Sequence, residues 1–224
     1  MEYQRLELLI GNKIDKLKNL SIAVIGIGGV GGYVVESLAR CMVGNLILVD
    51  YDKVDISNIN RQIIATYSNI GKNKTDCFKD RISDINKDCV VKTYNLFYEE
   101  KNKDFLFNEK IDYIIDCCDS LESKKSLIQE AVKRQIPIIS CMGTGNKFHP
   151  ELFQIDKLKK TSYDPLAKKL RYLLKDEKEC LEIPVLYSKE EPIKGLDKIG
   201  SISYVPSVAG LLITSYVINS IIDK

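Results

Sequence analysis

The residues able to do chemistry in this chain crowd between positions 21 and 119. A short apolar run over 21–25 feeds directly into Gly26-Ile27-Gly28-Gly29-Val30-Gly31. A helical pattern over 33–42 follows, and a second apolar run over 46–49 ends in the carboxylate of Asp50. Strand, glycine turn, helix, strand and acid, in that order, make a nucleotide-binding unit. Gly26 permits the tight turn, Gly28 lets backbone approach a phosphate, and Gly31 lets the helix pack closely on the strand. Phosphate would sit at the helix N-terminus, where unpaired N–H groups and the helix dipole favour an anion. Asp50 is set to accept hydrogen bonds from a ribose hydroxyl. A lone glycine turn would be weak evidence, but here the whole unit is present.

A dinucleotide site needs nothing further, yet the polar chemistry continues. Asp52, Asn58, Asn60, Arg61 and Gln62 all lie within twelve residues of Asp50, at the carboxyl-end crevice where open α/β sheets bind ligands. Arginine presents a planar fork to phosphate oxygens. Lys74, in the first turn of a helix expected over 71–86, suits phosphate neutralisation. Asp116 and Asp119 stand just past a strand expected over 111–115 and suit Mg²⁺ or the orientation of a triphosphate, because Mg²⁺ uses few protein carboxylates beside phosphate oxygens. Plainer readings stand next to these. The cluster after Asp50 could be a polar turn with an Asn-capped helix, and Asp119 could cap a helix over 123–134. Arg5, near the start of a helical stretch over 1–20, could be a cation delivered over a neighbouring site or a solvated surface residue. Gly71-Lys72-Asn73-Lys74-Thr75 fails as a P-loop, since no glycine precedes it at the required spacing and Lys72 is not followed by Ser or Thr.

The elements that must carry these groups are legible too. The chain has 224 residues, 45% hydrophobic and 29% charged, ample for one sizeable core. Its net charge of +2 demands neither nucleic acid nor membrane. Seven cysteines without a CxxC pair fit a reducing cytosol and argue against a disulfide framework or a four-cysteine zinc site. Further strands are expected at 90–94, 136–141, 151–156 on the far side of the sheet, and 183–187, with a short helix at 104–107. Residues 199–222 carry no charge, long enough for a membrane span. Their many Ser, Thr and Asn side chains favour a buried strand followed by a core helix from about Pro206. The run 157–175 holds Lys157, Lys159, Lys160, Lys168, Lys169, Arg171 and Lys175 against only Asp164. That is the strongest charge asymmetry in the chain, either a solvated face or a grip on a nucleic-acid backbone.

The expected architecture is one α/β domain over 1–224. A Rossmann-like, mainly parallel sheet forms its nucleotide-binding part, 1–149. An extension over 150–224 adds strands and a closing core helix, and would serve substrate and dimer contacts.

The glycine turn, Asp50-x-Asp52, Asn58, Asn60-Arg61-Gln62, Lys74 and Asp116-x-x-Asp119 together resemble the ubiquitin-activating-enzyme-like superfamily of ATP-dependent adenylyltransferases. The likeness runs from Arg5 to about Gly145, with several separate motifs in order at matching spacing. It implies that Gly26, Gly28, Gly29, Asp50, Asn58, Arg61, Lys74 and Asp119 bind Mg·ATP, with Arg5 joining them, in some relatives from the partner subunit. Members devoted to thiamin and molybdopterin hold zinc with paired CxxC motifs that this chain lacks. Instead, Met142-Gly143-Thr144-Gly145-Asn146, Thr161-x-x-Asp164-Pro165-Leu166-Ala167, the motif from Tyr187 to Pro192 and that from Gly200 to Gly210 resemble the tRNA threonylcarbamoyladenosine dehydratases. This second likeness extends through most of the chain.

That resemblance implies a reaction. The threonylcarbamoyl carboxylate attacks the ATP α-phosphate, releasing pyrophosphate; a nucleophile of the same side chain then closes the ring and expels AMP. Arg5, Arg61, Lys74 and Mg²⁺ would offset charge on the phosphates. Ring closure is intramolecular and can draw on effective molarities of ~10⁵ M or more, so no enzyme thioester is needed. Cys180 stands among Glu177, Glu179 and Glu182, a poor setting for a low-pKa thiol, and His149 has no triad neighbours. The resemblance also implies tRNA as partner, which favours the basic run as an RNA contact. It implies a homodimer in the cytosol as well, without membrane association, and leaves room for a protein that supplies sulfur. Three competitors remain at this stage. One is an adenylyltransferase for a sulfur carrier ending in Gly-Gly, another a nicotinamide-dependent oxidoreductase, and the third a nucleotide sensor without turnover.

Overall fold

Apolar residues point to both faces of the central strands, which demands a sheet buried between two layers of helices. The computed structural model, which describes residues 3–223, has that arrangement. Strands β1 (Ser21–Ile25), β2 (Asn45–Val49), β3 (Val90–Tyr94), β4 (Tyr113–Asp116), β5 (Ile138–Cys141), β6 (Phe153–Lys157) and β7 (Pro184–Ser188) form one sheet. Their order is β3-β2-β1-β4-β5-β7-β6, and every pairing is parallel except β6 with β7. The α/β, mainly parallel, Rossmann-like fold expected from the sequence is the one observed.

Side chains alternate strictly across the inner strands. Ile22 and Val24 of β1, Leu46 and Leu48 of β2 and Ile115 of β4 enter one core. Ala23, Ile25, Ile47, Val49 and Ile114 enter the other. Helices α3 (Gly31–Arg40), α4 (Lys74–Ile85) and α8 (Tyr204–Ile222) supply the first core; α5 (Asp104–Phe107), α6 (Leu121–Lys133) and α7 (Pro165–Leu173) supply the second. The N-terminal stretch divides into α1 (Gln4–Ile10), a 3-10 turn and α2 (Ile14–Lys18). Only Ile14 and Leu17 of its apolar residues are buried, while Leu8 and Leu9 are more than four-fifths exposed.

Three expectations are corrected. No strand forms between β7 and α8: the backbone of Gly200 bonds to Asn146, and Ser201 accepts from Asn60, so their partners are loops rather than a neighbouring strand. The cap of α6 is Ser120, whose hydroxyl accepts from the Ser123 N–H, which leaves Asp119 free of that duty. The short helix after Asp50 is capped by Asp55, not by an asparagine; Asn58 closes the box by accepting from the Asp55 N–H.

By length and composition α8 could cross a membrane. One face of it, through Val205, Ala209, Ile213 and Val217, lies in the first core. Gly210 lets α8 approach α3 so closely that a Cβ there would lie 2.5 Å from the Val30 carbonyl oxygen.

The register sets the site. Ile25 stands beside Val49 on one side and Asp116 on the other, and Asp116 beside Ser140. The glycine turn, Asp50 and the Asp116–Asp119 loop therefore leave the sheet at one edge, where strand order reverses between β1 and β4. Crevices at such a switch point are where open α/β sheets bind ligands.

Candidate nucleotide site

Glycine at two positions shapes the turn. Gly26 adopts φ +81°, and a Cβ there would lie 2.8 Å from the Cys117 carbonyl oxygen. At Gly31 a Cβ would lie 1.9 Å from the Gly26 carbonyl oxygen, so the helix can begin this close to the strand end only without a side chain. No side chain caps the N-terminus of α3, which leaves that end for an anion.

A cleft of about 670 Å³ opens above this turn, within the usual range for a small-molecule site. Gly26, Gly28, Gly29, Asp50, Asp52, Asn58, Arg61, Gln62, Lys74 and Asp119 all line it. Gly31 lies behind the turn. Arg5 is exposed on α1 and does not reach the cleft of its own chain.

The charges are arranged in depth. Asp50 accepts the Ile27 N–H at 2.8 Å and the Asp52 N–H at 2.9 Å, so it braces the glycine turn. Burial raises its carboxyl above the ordinary value, opposed by Lys74 and these two N–H groups. Lys74 is buried on the first turn of α4 and reaches Asp52 at 2.7 Å and Asp50 at 3.8 Å. Arg61 donates to the Ser57 carbonyl and the Asn60 side chain, both at 2.8 Å, and meets no carboxylate among the described residues. Its positive charge is therefore not offset. The Gln62 amide oxygen is buried against the cleft without a hydrogen-bond partner, a cost that a ligand donor would remove.

Asp116 and Asp119 part company. Asp116 is fully buried and bonded to Lys124 at 3.0 Å, Ser140 at 2.5 Å and the Cys118 N–H at 3.1 Å. It cannot meet a cleft metal, contrary to the expectation that both acids would suit Mg²⁺. Asp119 is exposed and faces the cleft. The phenol of Tyr51 is raised above its ordinary value by Asp52 first, then by burial and by Asp119 and Asp50. Three carboxylates thus act on one wall of a cleft whose other groups suit an anion. That combination fits a divalent cation shared between carboxylate and phosphate.

Thiol chemistry finds no support here. Burial, followed by the Glu177 carboxylate, pushes the Cys180 thiol up to about 12, and burial raises Cys117 and Cys118 as well. Among the described residues no group of three or more His, Cys, Asp or Glu side chains could hold a metal by itself.

Several lining residues carry no sequence signal of the kind used above. Leu96, Phe97 and Tyr98 follow β3 as Asp50 follows β2, and Phe97 meets Tyr51 edge-on at 5.0 Å between centroids. Counting two to four residues past the end of β3 finds them. Lys147 follows the Met142-to-Asn146 motif and also lines the cleft. It is buried, donates to the Gly143 carbonyl at 2.5 Å and lies 3.3 Å from Asp164, which caps α7.

A family model described as the ThiF family matches residues 3–224. The chain belongs to the ThiF family. Within it, the tRNA threonylcarbamoyladenosine dehydratase of Bacillus subtilis (strain 168) is 41% identical over 236 aligned residues, covering 97% of this chain and 93% of that protein. The crystal structure of the E. coli tRNA N6-threonylcarbamoyladenosine dehydratase in complex with ATP matches with a TM-score of 0.94 at 30% identity, over 99% of this chain and 94% of that one. Its complex with AMP matches with a TM-score of 0.93 at 31% identity, over 98% and 93% of the two chains. This ThiF-family chain therefore shares its fold over nearly its whole length with a protein solved with ATP and with AMP.

Proposed function

We propose that this chain is an ATP-dependent tRNA threonylcarbamoyladenosine dehydratase of the cytoplasm. The observation that carries the reading is likeness at 41% identity across 97% of the chain to a dehydratase. The cleft supports it with an uncompensated arginine, a shielded lysine and an orphan amide.

The threonylcarbamoyl carboxylate would attack the ATP α-phosphate and displace pyrophosphate. A nucleophile of the same side chain would then close the ring and release AMP, so that one water's worth of atoms leaves the nucleoside. The sum balances without a sulfur donor, and a sulfur-supplying partner is not required for it. Gly28, Gly29 and the N-terminus of α3 would receive phosphate, Asp50 the ribose, and Asn58 and Gln62 further polar contacts, with Arg61 and Lys74 offsetting charge on the phosphates. Asp119, with Asp52 nearby, would hold Mg²⁺, which when bound supplies charge neutralisation and orients the triphosphate.

We read residues 1–224 as one domain working as a homodimer. Leu8 and Leu9 of α1, and Leu211, Leu212 and Tyr216 of α8, are exposed apolar side chains suited to that contact. Arg5 would then act on the partner's cleft. No membrane insertion is needed to cover α8, whose buried face already packs on α3.

The test is nucleoside mass spectrometry on threonylcarbamoylated tRNA incubated with the protein and Mg·ATP. Loss of one water from the modified adenosine, with AMP released in step, is the expected result. No mass change, with AMP formed only when a carrier ending in Gly-Gly is added, would replace this reading by sulfur-carrier adenylylation. Cys180→Ser is expected to keep full turnover, because a thiol held up at about 12 is not an acyl acceptor at neutral pH.

A further inference from the structure

The basic run over 157–175 does not act as one surface. Lys157 and Lys159 both pair with Glu182, and Lys160 pairs with Asp156 at 3.4 Å. Arg171 turns back to the carbonyl and hydroxyl of Thr161. What remains is one side of α7. Ala167, Leu170 and Leu174 face inward and are fully buried. Lys168, Lys169 and Tyr172 of α7, and Lys175 in the turn that follows it, are exposed. None of these three lysines pairs with a carboxylate among the described residues, and Lys175 lies over the Tyr172 ring at 5.4 Å. Asp176 and Glu179 are the exposed acids at the far end.

The place of this stripe in the fold gives it meaning. Asp164, Pro165 and Leu166, which open α7, line the nucleotide cleft. The helix therefore starts at the reaction site and carries its cations outward for about 13 Å over nine residues. At the junction stands Tyr163, 60% exposed and held at φ +60°, a left-handed conformation that costs a tyrosine free energy and is found where neighbouring structure imposes it.

We propose that the outward face of α7 (Lys168, Lys169 and Tyr172), with Lys175 in the turn that follows it, is the surface on which tRNA docks. It holds the phosphate backbone flanking the adenosine whose side chain enters the cleft, while Tyr163 offers a ring at the rim for an unstacked neighbouring base. Unpaired lysines interleaved with an exposed aromatic ring match RNA, whose phosphates and bases take these two contacts. The inference rests on the dehydratase reading and adds where the RNA lies.

The test measures binding of threonylcarbamoylated tRNA between 50 and 200 mM salt. It compares wild type, Lys168→Ala/Lys169→Ala/Lys175→Ala and, as its counterpart, Lys157→Ala/Lys159→Ala/Lys160→Ala. The α7 triple variant is expected to flatten the plot of log K against log salt by about 2 to 3 units and to weaken binding about tenfold or more. Its KM for tRNA should rise with kcat and ATP affinity kept. The ion-paired triple variant is expected to change the slope far less. An unchanged slope in the α7 variant, or a larger loss in the ion-paired one, would overturn the assignment. A wild-type chain that binds no tRNA would overturn the dehydratase reading itself, an outcome visible before any variant is compared.

Discussion

Three lysines among the described residues are buried as thoroughly as leucines; two of them, Lys124 and Lys74, lie within 3.0 Å of a carboxylate, and of these two pairs only that of Lys74 opens on the cleft. Lys124 of α6 lies 3.0 Å from Asp116, and both side chains are 0% exposed. Ser140 and Cys118 take up the remaining lone pairs of Asp116. Burial alone would lower the Lys124 pKa, but Asp116 overrides it and raises it. Lys74 lies 2.7 Å from Asp52, and there the lysine is 4% exposed while the acid is 45% exposed. The two lysines look alike by distance and burial, and the difference lies in their partners. A sealed pair with every hydrogen bond satisfied can only hold structure together. A half-open pair keeps its cation shielded from water and can share it with an arriving phosphate at little cost, because the carboxylate it loosens is already solvated.

Breaking the sealed pair should give the largest effect. Lys124→Met leaves an uncompensated carboxylate in the second core and should cost about 3 to 5 kcal/mol of stability, read by urea unfolding. Replacing both members, Lys124→Met with Asp116→Leu, should recover much of that loss. If Lys124→Met proves as stable as wild type, the pair is not structural. The open pair should respond the other way round. Lys74→Met, which also takes a counter-charge from buried Asp50, should cost less than Lys124→Met because its nearer partner Asp52 is solvated, and Arg61→Ala and Asp119→Ala should leave the unfolding free energy within about 0.5 to 1 kcal/mol of wild type. Each should lower kcat by about 10² to 10³, the loss seen when one stabilising group is taken from developing charge. A Lys74→Met protein as unstable as the Lys124 variant would erase the distinction between the pairs. Wild-type turnover in Arg61→Ala or Asp119→Ala would remove those residues from the site.

The same contrast explains what the sequence could and could not reveal. The first strand and the third, Ser21–Ile25 and Val90–Tyr94, were legible to the residue, because an apolar run beside a glycine turn or a polar break has few other solutions. The glycine turn, Asp50, the Asn58-to-Gln62 cluster and Lys74 were legible as a group, because such polar density after a buried strand has no use in a core. The fates of Asp116 and Asp119 were not. They stand three residues apart at the same strand end, and only Ser140 and Lys124, from a neighbouring strand and a helix, decide which is sealed. Nor could sequence divide the basic run, since Glu182 and Asp156 remove Lys157, Lys159 and Lys160 from it through tertiary contacts. The strand expected before α8 failed for a related reason: its hydrogen-bonding groups found loop partners first. Local pattern reports what a segment can be; partners distant in sequence choose among the options.

Asp50 gives the smallest effect and the finest test of the contrast. Burial lifts its carboxyl above the ordinary value, against the pull of Lys74 and two backbone N–H groups. The folded protein therefore retains a proton that the unfolded chain has already lost. The stability linked to that proton is fully present below the unfolded carboxylate value, about 3.9, and is lost as pH rises through the folded one. The ionised form of Asp50 is thus a burden on the empty protein, unlike Asp116, whose pairing is internal to the core. Asp50→Asn should flatten the fall in stability across that window and leave the empty protein at least as stable as wild type at pH 7. It should also bind ATP more weakly by about 1.5 to 3 kcal/mol, since a hydroxyl loses a charged acceptor. Thermal unfolding from pH 4 to 7, with and without Mg·ATP, measures both quantities. A variant less stable than wild type at pH 7 with an unaltered pH slope would mean that Asp50 holds the glycine turn as Asp116 holds the core, and that the cleft was built for structure before ligand.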